Sequence, residues 1–119
     1  MAVIRAMVPM MPGCALKHKR QIIFLCILYS IMYKYLAEFF GTLTFVYIYL
    51  ATGNPLAIGA TLSLVLLFTH SVSKGGLNPA VAIVMSSAGQ FESRDLVPYV
   101  LAQIFGGLTA LELYKRYQV

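Results

Sequence analysis

Charged side chains are scarce in this 119-residue sequence. Only 11% of the residues are charged, whereas 60% are hydrophobic, and the mean hydropathy is +0.79. A soluble domain ordinarily carries about a quarter charged residues to cover its surface. The composition therefore argues against an ordinary soluble domain and indicates a membrane protein. The length allows one small domain or about three to four membrane elements, and nothing suggests a second domain.

Cysteine and potential catalytic groups are also sparse. Cys14 and Cys26 have neither metal-ligand spacing nor the density of a disulfide scaffold, so we predict free thiols. Ser, His and Asp are too few and too scattered to form a catalytic set, and no glycine-rich phosphate loop follows a strand. We therefore expect no enzyme activity, no metal and no cofactor. The net charge of +5 falls mostly at the ends of apolar runs, which favours lipid headgroups over nucleic acid as the anionic partner.

The first 31 residues differ in character from the rest. A basic group at positions 17–20 precedes an apolar run, residues 22–33, that is too short to span a bilayer alone. This pattern resembles a signal peptide, but no small-x-small cleavage site follows it. Because Met32 stands just before a longer apolar segment, we expect residues 1–31 to be a poorly ordered or dispensable extension and residues 32–119 to form the membrane domain.

Three apolar segments are long enough to span a membrane. They are residues 35–51, which could be continuous with the helix before them, residues 56–70, and residues 96–114, which Lys115 and Arg116 close. Gly53-Asn54-Pro55 separates the first two by a turn so short that they must run antiparallel. The third follows a polar connection at residues 89–95.

A shorter apolar segment lies between the second and third spans. Pro79 fits only the first turn of a helix, with Asn78 as its cap, and residues 80–88 are too few to cross a bilayer. The preceding stretch from Ser71 to Gly76 unwinds the chain. Irregular backbone at membrane depth is tolerated only where protein buries it or water lines it. The pattern thus predicts a re-entrant half-helix beside a cavity or pore, with the partial positive charge of its N-terminus near the midplane.

Several motifs in this order resemble the aquaporins, or major intrinsic proteins. Residues 37–42 read Ala-Glu-Phe-Phe-Gly-Thr in the first span, residues 77–81 read Leu-Asn-Pro-Ala-Val at the half-helix, and Ala102, Gln103 and Gly106 lie in the third span. The resemblance covers about residues 35–114. It implies an all-α transmembrane fold in which three spanning helices and one re-entrant half-helix form half of a passive channel for water or small neutral solutes such as glycerol.

The resemblance also implies roles for individual residues. Asn78 would donate its side-chain amide to a passing water or polyol oxygen, and Ile58 would contribute to the selectivity constriction, where an aliphatic residue slightly favours polyols. Glu38 would accept hydrogen bonds from the loop backbone, and Gln103 would support that packing. The implied pore-lining set is Ile58, Gly75, Gly76, Leu77, Asn78, Pro79 and Ala80.

The sequence departs from the family pattern in two places. The family often reads Ser-Gly-Ala-His where this chain has Ser73-Lys74-Gly75-Gly76, which places the usual packing of the loop in question. Val81 follows the half-helix motif, as in the first of the family's two such loops, and the second loop with its Arg is absent. We therefore expect the chain to be a first half that is inactive alone, that needs a second half to make a pore, and whose full channel is a tetramer.

Two other functions compete with the channel. The first is a non-conducting membrane fragment or an assembly partner that packs against other helices. The second is a secondary transporter, which also uses broken helices and for which Glu38 would be the one candidate coupling carboxylate. A structural alternative for Glu38 is a surface ion pair with Lys34, one turn earlier.

The distribution of basic residues predicts the orientation. Of the nine Lys and Arg residues, seven fall on one side of the predicted topology and two on the other. The seven are Arg5, Lys17, Lys19, Arg20, Lys34, Lys74 and Arg94, and the two are Lys115 and Arg116. Positive charge favours the cytoplasm, so we expect a cytoplasmic N-terminus in a multi-pass membrane protein.

Overall fold

A computed structural model describes residues 16–118, which form four α-helices and one short 3-10 turn. The helices are α1 (Leu16–Thr52), α2 (Pro55–Ser73), α3 (Pro79–Ser87) and α4 (Leu96–Arg116), and the turn is Ser93–Asp95. Three segments are long and apolar enough to cross a membrane: Lys19–Thr52, Pro55–Ser73 and Ser93–Arg116. With nine residues, α3 is too short. The predicted all-α transmembrane fold of three spanning helices and one half-helix is confirmed.

The contacts within the chain divide it into two units, Met1–Ile31 and Met32–Val119. In the first unit, the described residues from Leu16 onward are helical, and this helix continues without a break into the first predicted span. Apolar side chains there, such as those of Phe24 and Tyr29, are exposed. Residues 1–15 lie outside the described part of the chain, and the expectation that residues 1–31 are dispensable stays a prediction.

Two helices, α2 and α3, each begin at an Asn-Pro pair. At α2, Asn54 Oδ1 accepts a hydrogen bond from Leu56 N at 2.9 Å, and Pro55 occupies the first helical position. At α3, Asn78 and Pro79 repeat this arrangement. An Asn cap pairs one of the backbone N–H groups that a helix start leaves free, and proline has no N–H to leave free.

The end of α2 lies three residues beyond the end predicted from the sequence. Unwinding was expected from Ser71, but the helix continues to Ser73 and stops at Lys74, whose φ of 70° is left-handed. The N–H of Lys74 bonds to the carbonyl of His70 at 3.2 Å and so closes the last turn. The re-entrant loop is therefore four residues, 74–77, between this helix end and the Asn78 cap.

The interior of the second unit is notably polar. Its buried polar side chains are those of Glu38, Thr42, Thr69, Ser73 and Gln103, and its buried hydrophobic residues are Leu77, Ala82, Tyr99 and Ala110. Large apolar side chains on α2 and α4, by contrast, are exposed. This distribution inverts that of a soluble domain and suits a chain whose outer surface faces hydrocarbon.

Close approach of α1 and α4 depends on one glycine. A Cβ at Gly106 would collide with the carbonyl oxygen of Phe39 and lie 3.3 Å from the backbone nitrogen of Leu43. Small residues permit such backbone contact between membrane helices. This packing brings Gln103, three residues earlier on α4, alongside Glu38 on α1.

Candidate functional site

At the start of α3, the side-chain oxygen of Asn78 caps the helix and its side-chain nitrogen stays available as a donor. Its Oδ1 accepts from Ala80 N at 2.9 Å, while its backbone carbonyl accepts from Ala82 N at 2.9 Å. The Nδ2 group is thereby left as a donor, and it has no partner within residues 16–118. Asn78 is exposed. The residue thus presents a hydrogen-bond donor at the positive end of a helix.

The loop before Asn78 is held in an unusual backbone conformation. Lys74 and Leu77 have φ values of 70° and 48°, and Gly75 has a φ of 69°. Gly75 N donates to the hydroxyl of Ser73 at 3.3 Å. Gly75 and Leu77 are buried, whereas Gly76 is half-buried.

Glu38 is the centre of the polar interior. Its side chain is fully buried, and its two carboxylate oxygens accept four hydrogen bonds. Oε1 accepts from Ser73 Oγ at 2.5 Å and from Gly76 N at 3.1 Å. Oε2 accepts from Leu77 N at 2.7 Å and from Gln103 Nε2 at 2.8 Å. The carboxylate therefore joins the end of α2, the loop and α4 to α1.

The glycine at position 76 leaves room for Gln103 beside Glu38. A Cβ at Gly76 would lie 3.1 Å from Gln103 Nε2 and 3.6 Å from Glu38 Oε2. A residue with a Cβ at position 76 would therefore require the Gln103 amide to shift by a few tenths of an ångström. The Gln103 Oε1 atom is buried and has no partner in the described part of the chain.

Thr42 is a loop-holding residue for which sequence reasoning assigned no role. Its hydroxyl donates to the carbonyl of Leu77 at 3.3 Å, so this carbonyl is engaged by the protein. The Leu77 side chain packs directly against Gly41 of α1, since a Cβ at Gly41 would lie 2.5 Å from Leu77 Cδ2. A signal was present in the sequence, because Thr42 lies four residues after Glu38, on the same helix face.

The alternative pairing of Glu38 with Lys34 is wrong. Lys34 Nζ bonds instead to Asp95 Oδ2 at 2.5 Å, across 61 residues of chain. Tyr35 Oη donates to Asp95 Oδ1 at 2.8 Å. Sequence reasoning missed this pair because nothing local links the two residues.

Not all of the predicted site residues lie together. Glu38, Gln103 and residues 75–77 form one bonded cluster, which Asn78, Pro79 and Ala80 directly follow. Ile58 is half-buried in the first turn of α2, about 22 Å along the helix axis from Ser73, given the rise of an α-helix. A role for Ile58 would therefore belong to the opposite end of α2 from the loop.

Comparison of the sequence with known protein families gives a match. The model of the family described as "Major intrinsic protein" matches residues 27–119. The chain belongs to the major intrinsic protein family. The resemblance drawn from residues 37–42, 77–81 and 102–106 is thus confirmed, and the chain is an integral membrane protein.

One relative of the chain has a name that describes a solute. "Glycerol uptake facilitator protein-like 6" of Lactiplantibacillus plantarum is 35% identical over 95 residues, covering 72% of this chain and 44% of the relative. The chain therefore spans less than half the length of this relative. The search of solved structures gave no significant match.

Proposed function

We propose that this chain supplies the first half of a passive channel for water and small neutral solutes such as glycerol. The observation that carries the proposal is the divided role of Asn78, whose oxygen caps α3 while its amide nitrogen remains a donor. An exposed donor fixed by its own backbone suits recognition of a neutral oxygen that passes by. Family membership and the name of the relative agree with this solute class.

The half-helix contributes charge as well as a hydrogen bond. The N-terminus of α3 carries a partial positive charge, which opposes cations and leaves neutral molecules unaffected. The carbonyls of Gly75 and Gly76 would accept from the same water or polyol, whereas that of Leu77 already accepts from Thr42. Glu38 and Gln103 would act on conduction only by holding this loop.

The proposed pore needs a second half. In broken-helix folds built from inverted repeats, two half-helices meet at the midplane from opposite sides. The described residues contain one half-helix, which begins at Asn78, whereas the equivalent Asn54 begins the full-length helix α2. A second polypeptide or further chain with its own Asn-Pro-Ala and Arg would complete the constriction, and we infer that the full channel is tetrameric.

Stopped-flow light scattering of proteoliposomes tests the function. The chain alone should give water and glycerol permeability equal to that of empty vesicles. Co-reconstitution with the part of the glycerol facilitator-like relative that the match leaves uncovered should raise permeability, and Asn78→Asp should abolish the increase. Ser87→Ala, at the far end of α3, is the matched control and should have no effect.

Two results would contradict these proposals. Permeability from the chain alone would mean that a half assembles a working pore. Co-assembly of both halves without any permeability would exclude the channel and favour a non-conducting assembly partner.

In the conducting complex, Ile58→Phe should lower glycerol permeability more than water permeability if Ile58 lines the constriction.

The proposed orientation places the N-terminus and the re-entrant loop in the cytoplasm. The ion pair between Lys34 and Asp95 supports only a shared side for the start of the Met32–Val119 unit and the connection before α4. The choice of the cytoplasmic side rests on the distribution of basic residues. A single cysteine after Val119, in a chain without its native cysteines, should react with an impermeant external reagent in intact cells. Protection of that cysteine would reverse the proposed orientation.

A further inference from the structure

Asp95 stands at the start of α4 but does not cap it. An Asp at this position ordinarily accepts from a backbone N–H of the first turn. Here the side chain makes no such bond, and its two oxygens accept instead from Lys34 Nζ and Tyr35 Oη of α1. The residue therefore forgoes a local contact for one with a helix that lies 60 residues away in the sequence.

Lys34, the partner of Asp95, belongs to a row of three polar residues on α1. Lys34, Glu38 and Thr42 are spaced by four residues and so lie on one face of the helix, which we call the anchor face. Glu38 and Thr42 bond to the loop before α3. Lys34 bonds to the connection that follows α3. One helix face thus holds both flanks of the half-helix.

The half-helix itself makes no polar side-chain contact with another helix within residues 16–118. Ser87 Oγ, for example, bonds back to Ile83 O in the same helix at 2.9 Å. In water, a helix of nine residues would be only marginally stable by itself. Its position therefore depends on its contacts with α4 and on its two tethered flanks.

The pair between Lys34 and Asp95 is built differently from the other ion pairs of the described residues. Its side chains are only 22% and 15% exposed, whereas those of Arg94 and Glu92 are 79% and 66% exposed. The Lys34 ammonium also lies 5.3 Å from the centre of the Tyr35 ring. A sheltered pair with a second donor is weakened less by water and salt than an exposed one.

Aromatic rings extend this contact toward the end of α3. The Tyr35 ring packs edge-on against Tyr99 of α4, with centroids 5.5 Å apart. The Tyr99 ring in turn packs against the ring of Phe91, in the connection after α3, with centroids 5.0 Å apart. The charged pair and the rings together join α1, α4 and the connection at one place.

We propose that Lys34 and Asp95 are positioning residues that fix the C-terminal flank of α3, as Glu38 fixes its N-terminal flank. The two tethers together set the direction of α3 and so the place of Asn78. The importance of that direction for conduction rests on the proposed channel function, whereas the tether itself is a property of this chain and is testable without conduction.

Distance measurements between spin labels test the tether in the full chain. In a Cys14→Ser, Cys26→Ser background, labels at Thr44→Cys on α1 and Ser87→Cys at the end of α3 report the position of the half-helix. A second pair, at Thr44→Cys and Ser63→Cys, reports the packing of α1 on α2. All three positions are exposed, and each native hydroxyl bonds only within its own helix.

Asp95→Asn should broaden the distribution of distances between positions 44 and 87 about two-fold, since the flank opens locally, and leave the distribution between 44 and 63 unchanged. Glu92→Gln, which removes the exposed ion pair next to it, is the matched control and should alter neither. The exchange Lys34→Asp with Asp95→Lys should restore most of the original width, because it recreates the ion pair but loses the Tyr35 hydrogen bond.

Three outcomes would overturn the proposal. An unchanged distribution between 44 and 87 in Asp95→Asn would show that the pair does not hold α3. Equal broadening of both distributions would show general support of the fold rather than positioning. Failure of the exchanged pair to narrow the distribution would show that the charge interaction is not the cause. None of these results depends on whether the chain conducts, so the proposed function is tested separately.

Discussion

Glu38 shows at the scale of one residue how a buried charge is tolerated in this chain. A carboxylate without water costs several kcal/mol unless donors replace its hydration. Four donors do so here, and two of them are backbone N–H groups of Gly76 and Leu77 that would otherwise be unpaired. The charge and the irregular loop thus satisfy each other.

Replacing Glu38 with Gln should destabilise the fold by about 3 kcal/mol. The new amide group would face N–H donors and leave at least one of them unpaired, and a buried unpaired donor costs about 1–3 kcal/mol. SDS titration of the purified chain in mild detergent, followed by circular dichroism, measures the loss. Glu112→Gln, an exposed site, is the control and should change stability by less than about 0.5 kcal/mol. Equal stability of the Glu38 variant and wild type would contradict this account.

A second residue-scale prediction contrasts two adjacent glycines. Gly106→Ala should destabilise the chain by about 1–3 kcal/mol, because its Cβ meets backbone atoms of Phe39 and Leu43 that cannot move freely. Gly107→Ala should be neutral or stabilising, since its nearest contact is Val46 Cγ2 at 3.9 Å and Ala favours a helix. The same SDS titration compares them, and equal effects would contradict the close approach of α1 and α4.

At the scale of elements, the loop contains two residues with strained backbone, and only one of them gains packing contacts from its strained conformation. The left-handed φ of Leu77 accompanies a buried side chain that packs beside Gly41. The left-handed φ of Lys74 accompanies an exposed side chain. Left-handed backbone costs about 1–2 kcal/mol for a residue with a Cβ. Packing therefore offsets the strain at Leu77 but not the strain at Lys74.

Lys74→Gly should therefore stabilise the chain by about 1 kcal/mol, because glycine adopts this conformation without the steric cost. Lys74→Ala keeps the Cβ and removes the charge, so it should give no comparable gain. Thermal unfolding in detergent micelles, followed by circular dichroism, distinguishes them. A similar gain in both variants would show that the charge of Lys74, not its backbone, is unfavourable.

Elements that begin at strong local signals were predictable from the sequence, and their ends were less so. Pro79 and Asn78 predicted the start of α3 to within one residue of the observed Pro79–Ser87. The last span was predicted to end at 114, whereas α4 continues to Arg116. A proline restricts its own φ and lacks an N–H, while a helix end depends on which carbonyls find other partners.

At the scale of the whole molecule, the chain places polar groups inside and apolar groups outside. In the Met32–Val119 unit the bonds around Glu38 and Asp95 connect α1, the re-entrant loop and α4. The helical residues before Met32 belong to the other unit. The anchor face begins at Lys34, so it lies entirely within the second unit.

A chain that starts at Met32 should insert into membranes and keep the helices of residues 32–116, because it retains every bond of the anchor face. Carbonate extraction and circular dichroism measure insertion and helix content. A chain that starts at Leu43 lacks the anchor face and is the control, which should lose its compact fold. Loss of insertion in the Met32-start chain would show that residues 1–31 are needed.

What the sequence by itself determined about this protein is local: membrane character from apolar lengths, helix starts from Asn-Pro pairs, and family from three short motifs. These depend on residues near one another in the chain. Only the tertiary structure decided that Lys34 pairs with Asp95 and not with Glu38, that Thr42 holds the Leu77 carbonyl, and that Gly106 admits the backbone of α1. Those contacts join residues 35 or more positions apart, and the relative placement of packed helices, which no local pattern specifies, determines them.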